Sequence, residues 1–190
     1  MTAPPRIRLG ISQCLLGDPV RYDGGHKRDD YLTDVLGRQV EWVPFCPEVE
    51  AGFGVPREPM RLVGSAKTSR LVTIETQRDL TKTMKSFSAR RIKKLQTLNL
   101  SGYVFKARSP SCGIEKVPLY NRRGEAQPTG TGLFAKAFRK AFPKIPVTDE
   151  GRLADPAARE QFLSQAYDYQ HRKRSVKPQA ARSSRRRRKR

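Results

Sequence analysis

Short apolar runs alternate with longer amphipathic stretches along this chain, a rhythm that predicts strands alternating with helices. Ile7-Arg8-Leu9-Gly10-Ile11 and Val40 to Phe45 read as strands, and Arg28 to Leu36 between them as a short helix closed by Gly37. Leu71 to Ile74 is a third, shorter strand. From Arg78 to Leu98 the residues Leu80, Met84, Phe87, Arg91, Leu95 and Leu98 recur at steps of three and four. One stripe of that helix therefore faces a sheet and its basic face points to water. Gly102-Tyr103-Val104-Phe105-Lys106 reads as a strand, Leu133 to Phe142 as a helix stopped by Pro143, and Ile145-Pro146-Val147 as a brief strand. Asp155 followed by Pro156 is an N-cap and first-turn pair, starting a helix that runs to about Tyr169.

This order, β-α-β-(β)-α-β-α-β-α with no internal repeat, implies an α/β protein: a single three-layer domain with a mostly parallel sheet covered by helices. The length, 190 residues, suits one domain with a core of ordinary size. We place that domain at residues 1–170. From His171 to Arg190 there are eleven Lys or Arg and no acid, so the segment 171–190 reads as a disordered basic tail. It takes eleven of the net +21, leaving +10 on the domain. Such a tail either attaches to RNA or another polyanion, with strong salt dependence, or is a solvated extension. The +10 that remains favours an anionic partner, such as a nucleotide phosphate. An odd cysteine count, no apolar leader after Met1 and no apolar run near the ~18 residues of a membrane span point to a cytoplasmic setting with no membrane contact.

The three cysteines change the picture most. Cys14, Cys46 and Cys112 each follow a strand-like run, in the turns Ser-Gln-Cys-Leu-Leu-Gly, Phe-Cys-Pro-Glu and Ser-Pro-Ser-Cys-Gly. In a parallel sheet such turns gather at one edge, where open α/β sheets bind ligands. Three thiols in one pocket suggest a metal or cluster site. The competing reading is buried cysteine as a small hydrophobe, against which stand the polar or special-backbone neighbours of all three. Zinc would want paired Cys-x-x-Cys spacing and a fourth ligand, which here only His26 or a carboxylate offers. An iron-sulfur cluster is normally tied by four cysteines, so three would leave one iron open to substrate, and an open iron means Lewis-acid chemistry.

The residues also carry a resemblance. Gly10-Ile11-Ser12-Gln13-Cys14-Leu15-Leu16-Gly17, Val20-Arg21-Tyr22-Asp23-Gly24-Gly25-His26-Lys27, Pro44-Phe45-Cys46-Pro47-Glu48-Val49, residues 55–64 and Arg108-Ser109-Pro110-Ser111-Cys112-Gly113 together resemble the TudS-like thiouracil desulfidase family. The likeness covers about residues 6–165. It implies a single α/β domain that holds a 4Fe-4S cluster through Cys14, Cys46 and Cys112. The free iron would take the sulfur of a thiolated pyrimidine, with Glu48 and Ser109 as the catalytic pair. The implied reaction is a net hydrolysis: water activated by Glu48 attacks the ring carbon, Ser109 orients or donates a hydrogen bond, and sulfide leaves.

Each of these residues has a plainer reading. Glu48 can be an exposed or salt-bridged loop carboxylate, Ser109 can cap a turn, and Arg57-Glu58-Pro59-Met60-Arg61 can hold a loop by ion pairs or meet a phosphate. Gly24-Gly25-His26-Lys27 suits a tight turn or an anion, with His26 a candidate pocket residue. Lys106 and Arg108 either attract a nucleotide phosphate or balance cluster charge. Some relatives carry a further C-terminal domain linked to RNA, whereas here the last helix leads into the basic tail. Free thiouracil, a 4-thiouridine nucleotide and thiolated RNA all stay open as substrates. The alternative to the enzyme is a basic RNA-binding module with structural or zinc-holding cysteines.

Overall fold

The structure, a computed structural model, describes residues 6–175. In chain order its regular elements are β1 (Arg8–Ser12), β2 (Glu41–Phe45), the single turn α1 (Pro47–Glu50), β3 (Met60–Val63), β4 (Arg70–Thr73) and α2 (Thr81–Thr97). There follow β5 (Gly102–Phe105), β6 (Val117–Tyr120), β7 (Ala126–Gly130), α3 (Leu133–Ala141), β8 (Val147–Asp149) and α4 (Pro156–Ser175). Four strands form a wholly parallel sheet in the order β2-β1-β5-β8. A second sheet, β4-β3-β6-β7, is mixed: its outer pairs are antiparallel and β3 runs parallel to β6.

The parallel sheet is buried on both faces, as alternation of its side chains requires. Ile7, Leu9, Ile11 and Val104 pack with Leu32, Leu36, Phe162 and Ala166 on one side. Phe45, Tyr103 and Phe105 pack with Met84, Phe87, Leu95, Phe134 and Phe138 on the other, where they join Leu62, Leu71 and Leu119 of the second sheet. The result is the three-layer α/β arrangement expected. Within it, the Tyr103 ring lies across β1, and only a glycine permits this: a Cβ on Gly10 would stand 2.2 Å from the Tyr103 Cδ2.

Several elements depart from the sequence reading. The strand at Leu71 to Ile74 belongs to the second sheet, antiparallel to β3, and β3, β6 and β7 are additional. Pro118 sits at a register shift between β6 and β7, which is how an inner strand tolerates a residue with no N–H. The segment 28–36 is a π turn at Tyr31–Val35 followed by a 3-10 turn at Leu36–Arg38. There the Asp29 carboxylate accepts the Leu32 N–H and the Trp42 indole donates to the Leu32 carbonyl, so regular α bonding is replaced at both ends. The last helix starts where Asp155 accepts the Ala157 N–H at 3.1 Å, but continues six residues past Tyr169 to Ser175. Residues 171–175 are thus helical, and Arg172 and Lys173 suit a C-terminal turn because cations there oppose the negative end of the helix dipole. The rest of the basic tail lies outside the described residues.

Candidate active site

The carboxyl ends of β2, β1 and β5 are neighbours, and each leads directly into a cysteine-bearing turn. Cys14 lies in the 3-10 turn Gln13–Leu16 after β1, Cys46 is the N-cap of α1 after β2, and Cys112 sits in the loop after β5. All three line one cavity of about 440 Å³, together with Glu48, Ser109, Arg57, Lys106, Arg108, Arg21 and Lys27. Sequence positions up to 98 residues apart therefore meet because the strands before them are adjacent and parallel.

The thiols share an electrostatic environment. Burial, and then the neighbouring Cys46, push the Cys14 thiol up to about 12. Burial and then the Glu48 carboxylate raise Cys46, and burial followed by Cys46 holds Cys112 well above the usual thiol range. Three thiols in one desolvated cavity thus stay protonated unless a cation arrives to hold them as thiolates. Among the described residues, no three Cys, His, Asp or Glu groups converge closely enough to hold one metal ion. No disulfide joins the cysteines.

Glu48 is both a cavity residue and an ion-paired one. Its Oε2 accepts Arg57 Nε at 3.0 Å and Nη2 at 2.5 Å. The same guanidinium donates to the carbonyls of Val20 (3.1 Å) and Gly54 (2.9 Å), so Arg57 ties the loop after β1 to the turn after β2. Both bonds use Oε2, which leaves Glu48 Oε1 on the cavity wall without a donor among the described residues. Of the two readings for the 57–61 stretch, Arg57 takes the ion-pair one. Glu58 likewise holds the loop, accepting the N–H groups of Glu75 and Thr76.

Ser109 caps the turn that carries the third cysteine: its Oγ accepts the N–H of Ser111 at 3.2 Å and of Cys112 at 3.0 Å. A serine hydroxyl has two acceptor sites and one proton, so with both acceptors used, what it can offer the cavity is the O–H. Ser12 Oγ accepts the Lys106 N–H at 2.9 Å and also bonds the Cys112 thiol, which offsets only part of the rise that burial and Cys46 impose. Lys106 itself is salt-bridged to Glu150, whose second oxygen accepts the Ala107 N–H at 2.7 Å. Arg108 is exposed at the cavity and adopts a positive φ of 60°.

Other readings end differently. His26 does not line the cavity; its Nδ1 accepts the Arg28 N–H at 3.2 Å on an exposed loop. The Gly24-Gly25 stretch is a tight turn, with Asp23 accepting the Gly25 N–H at 3.0 Å. Sequence reasoning missed Ser12, Arg21, Lys27 and Glu150 as residues of the site. Arg21 and Lys27 lie in the same motif as His26, while Glu150 had a usable signal, a carboxylate just past the carboxyl end of β8 on the edge where the cysteines gather.

Comparison with known proteins shows the family. One curated relative is "Uncharacterized protein YbbK" of Bacillus subtilis (strain 168), 29% identical over 142 residues that cover 71% of this chain and 91% of that protein. Among solved structures the chain matches a [4Fe-4S]-dependent thiouracil desulfidase, TudS. That match has 30% identity and a TM-score of 0.63, and covers 83% of this chain and 99% of that one. The family model for 2-thiouracil desulfurase matches residues 9–150, a span that contains all three cysteines, Glu48 and Ser109, and the chain therefore belongs to the 2-thiouracil desulfurase family.

Proposed function

We propose that this enzyme removes the sulfur of a thiolated pyrimidine by net hydrolysis, using a 4Fe-4S cluster held by Cys14, Cys46 and Cys112. One observation carries the reading: three cysteine thiols round one cavity whose wall also offers a carboxylate oxygen and a hydroxyl proton. The donor set fits the group, because three thiols from neighbouring strand ends line one cavity and thiolates are the usual ligands of such clusters. When bound, such a cluster with one iron lacking a cysteine supplies a thiophilic Lewis acid.

The chain's own residues do the rest. Glu48 Oε1 accepts a proton from a water at the cavity wall, while Arg57, bonded to Oε2, keeps the carboxylate aimed. Ser109 donates its hydrogen bond to the ring and at the same time holds the Cys112 turn. The cavity volume lies within the roughly 300–1,000 Å³ of small-molecule sites. Lys106 and Arg57 are neutralised by Glu150 and Glu48, which leaves Arg21, Lys27 and Arg108 as the cations for a substrate phosphate. Arg21 is partly shared with Asp23 at 3.4 Å. This favours a 4-thiouridine nucleotide over free 2-thiouracil.

The test is anaerobic sulfide release from 2-thiouracil and from 4-thio-UMP by the wild-type chain and by Glu48→Gln. Loss of a general base lowers turnover by about 10²–10⁴-fold. We expect sulfide from the wild type, a higher kcat/KM on the nucleotide, and at least a hundredfold drop in Glu48→Gln with its iron retained. Wild-type turnover in Glu48→Gln would refute the assigned roles.

A further inference from the structure

The domain's positive charge is concentrated away from the cavity. Helix α2 carries six cations and no acid, and Lys82, Lys85, Arg90, Lys93 and Lys94 are exposed on the half opposite buried Met84, Phe87 and Leu95. Helix α3 packs against α2 and bears a stripe of Lys136, Arg139 and Lys140 on the side opposite Phe134 and Phe138; Lys144 follows. None of these nine cations forms a salt bridge among the described residues. Glu115, which feels the Arg139 charge, is itself held by Arg152 at 2.5 Å.

Beside α3 lies a second cavity of about 590 Å³, between the helix, β7 and the turn joining β3 to β4. Its wall carries Lys136, Arg139 and Lys140, the hydroxyl-bearing Ser69, Thr129 and Thr131, the last of which donates to the Ile114 carbonyl, the half-buried ring of Phe142, and no carboxylate. Lys136 already donates to the Ala66 carbonyl across it at 3.3 Å. Cations and hydroxyls are the usual donors to phosphate oxygens, and an aromatic ring offers a base a stacking surface.

We infer that the α2–α3 face with its cleft is a docking surface for the phosphate backbone of single-stranded RNA. A lipid surface fits less well, because a membrane-binding helix turns its apolar side to the bilayer and α2 buries that side in the core. The choice of RNA over another polyanion rests on the proposed activity, since thiolated uracil is an RNA base. Helix α3 also connects the face to the active site: the N–H groups of Leu133 and Phe134 at its start bond the Pro110 and Ser111 carbonyls, next to Cys112. Arg139 and Lys140 lie six and seven residues further on, about 9–11 Å along the helix.

If about five of the nine cations meet phosphates, this face contributes about −3.5 to the slope of log K against log salt, or roughly a hundredfold of the affinity lost between 50 and 200 mM. The test is binding of a fluorescent 20-nucleotide RNA to the full chain across that salt range. It compares the wild type with Lys85→Glu/Arg90→Glu/Lys93→Glu, Arg139→Glu/Lys140→Glu and the milder Lys85→Gln/Arg90→Gln/Lys93→Gln. We expect each charge reversal to weaken binding at least tenfold, and each lost cation to make the slope shallower by about 0.7. Unchanged affinity and slope in the reversed variants would overturn the inference and leave residues 176–190 as the carriers of RNA binding. Loss of binding to phosphatidylserine vesicles, with RNA binding intact, would overturn it in favour of a membrane. Sulfide release from 2-thiouracil by the same variants checks that the fold is whole. If the wild type releases none while RNA binding behaves as expected, the proposed activity fails and the docking surface stands.

Discussion

Replacing Arg57 by methionine would strand the Glu48 carboxylate. The two side chains are 6% and 12% exposed, and Arg57 brings four hydrogen bonds to the pair and its surroundings. Removing one partner of a buried pair costs about 3–5 kcal/mol, because the remaining charge keeps its desolvation without its compensation. Glu48 lines an open cavity that admits water, so the lower end, about 3 kcal/mol, applies. For a domain of this size that is a fall in Tm of roughly 6–12 °C. The double variant Arg57→Met/Glu48→Gln removes the orphaned charge and recovers most of the loss, with a coupling of at least about 2 kcal/mol. Urea unfolding of all four members of the cycle reads these values directly, and sulfide release should fall in Arg57→Met because Glu48 is no longer aimed. A cost below about 1 kcal/mol, the value of an exposed pair, would refute the argument that Arg57 holds a buried carboxylate in place.

Gly10→Ala forces a methyl into the Tyr103 ring and should cost about 1–3 kcal/mol in thermal unfolding; an unchanged Tm would contradict that packing. Because burial raises all three thiols, assembling the cluster in metal-free protein at neutral pH must release about three protons per chain beyond those set free by the inorganic sulfide, and iron affinity must rise with pH. A weakly buffered dye assay that finds no protons beyond the sulfide's share would mean the thiols are already ionised. Lys106→Met leaves Glu150 without its cation and loosens the chain between β5 and Cys112, so iron should be lost faster to a chelator. An unchanged rate would show that this bridge does not support the site.

What the chain discloses before folding follows from how its elements are buried. Strands β1 and β5 read clearly because both faces are covered, which leaves short, nearly continuous apolar runs, and β2, half-covered at the sheet edge, still offers the run Trp-Val-Pro-Phe. Helix α2 read clearly from Met84, Phe87 and Leu95 on one stripe. The second sheet was hidden: four of the five residues of β7, Ala-Gln-Pro-Thr-Gly, are exposed, and β6 and β7 each contain a proline that ordinarily argues against a strand. The π turn depends on Trp42, ten positions beyond the carbonyl it bonds, and so lay outside any local pattern.

The same division holds at the site. Cys14, Cys46 and Cys112 could be gathered from the sequence because each follows a legible parallel strand, and parallel strands bring their ends to one edge. Glu48 and Ser109 entered through the family resemblance, and their surroundings could not be foreseen. Arg57 chooses Glu48 from nine positions further along the chain, and Lys106 meets Glu150 only because β8 pairs with β5. His26 shows the opposite case: a residue chemically suited to the pocket is held outside it, on an exposed loop.

The central claim is that three thiols at the ends of β1, β2 and β5 hold one cluster. The most direct test is iron and acid-labile sulfide per chain after anaerobic reconstitution, measured for the wild type and for Cys14→Ala, Cys46→Ala and Cys112→Ala. About four irons and four sulfides in the wild type, with a brown chromophore lost or depleted in every single variant, is the expected result. A colourless, iron-free wild type, or a full cluster in any one of the three variants, would contradict it.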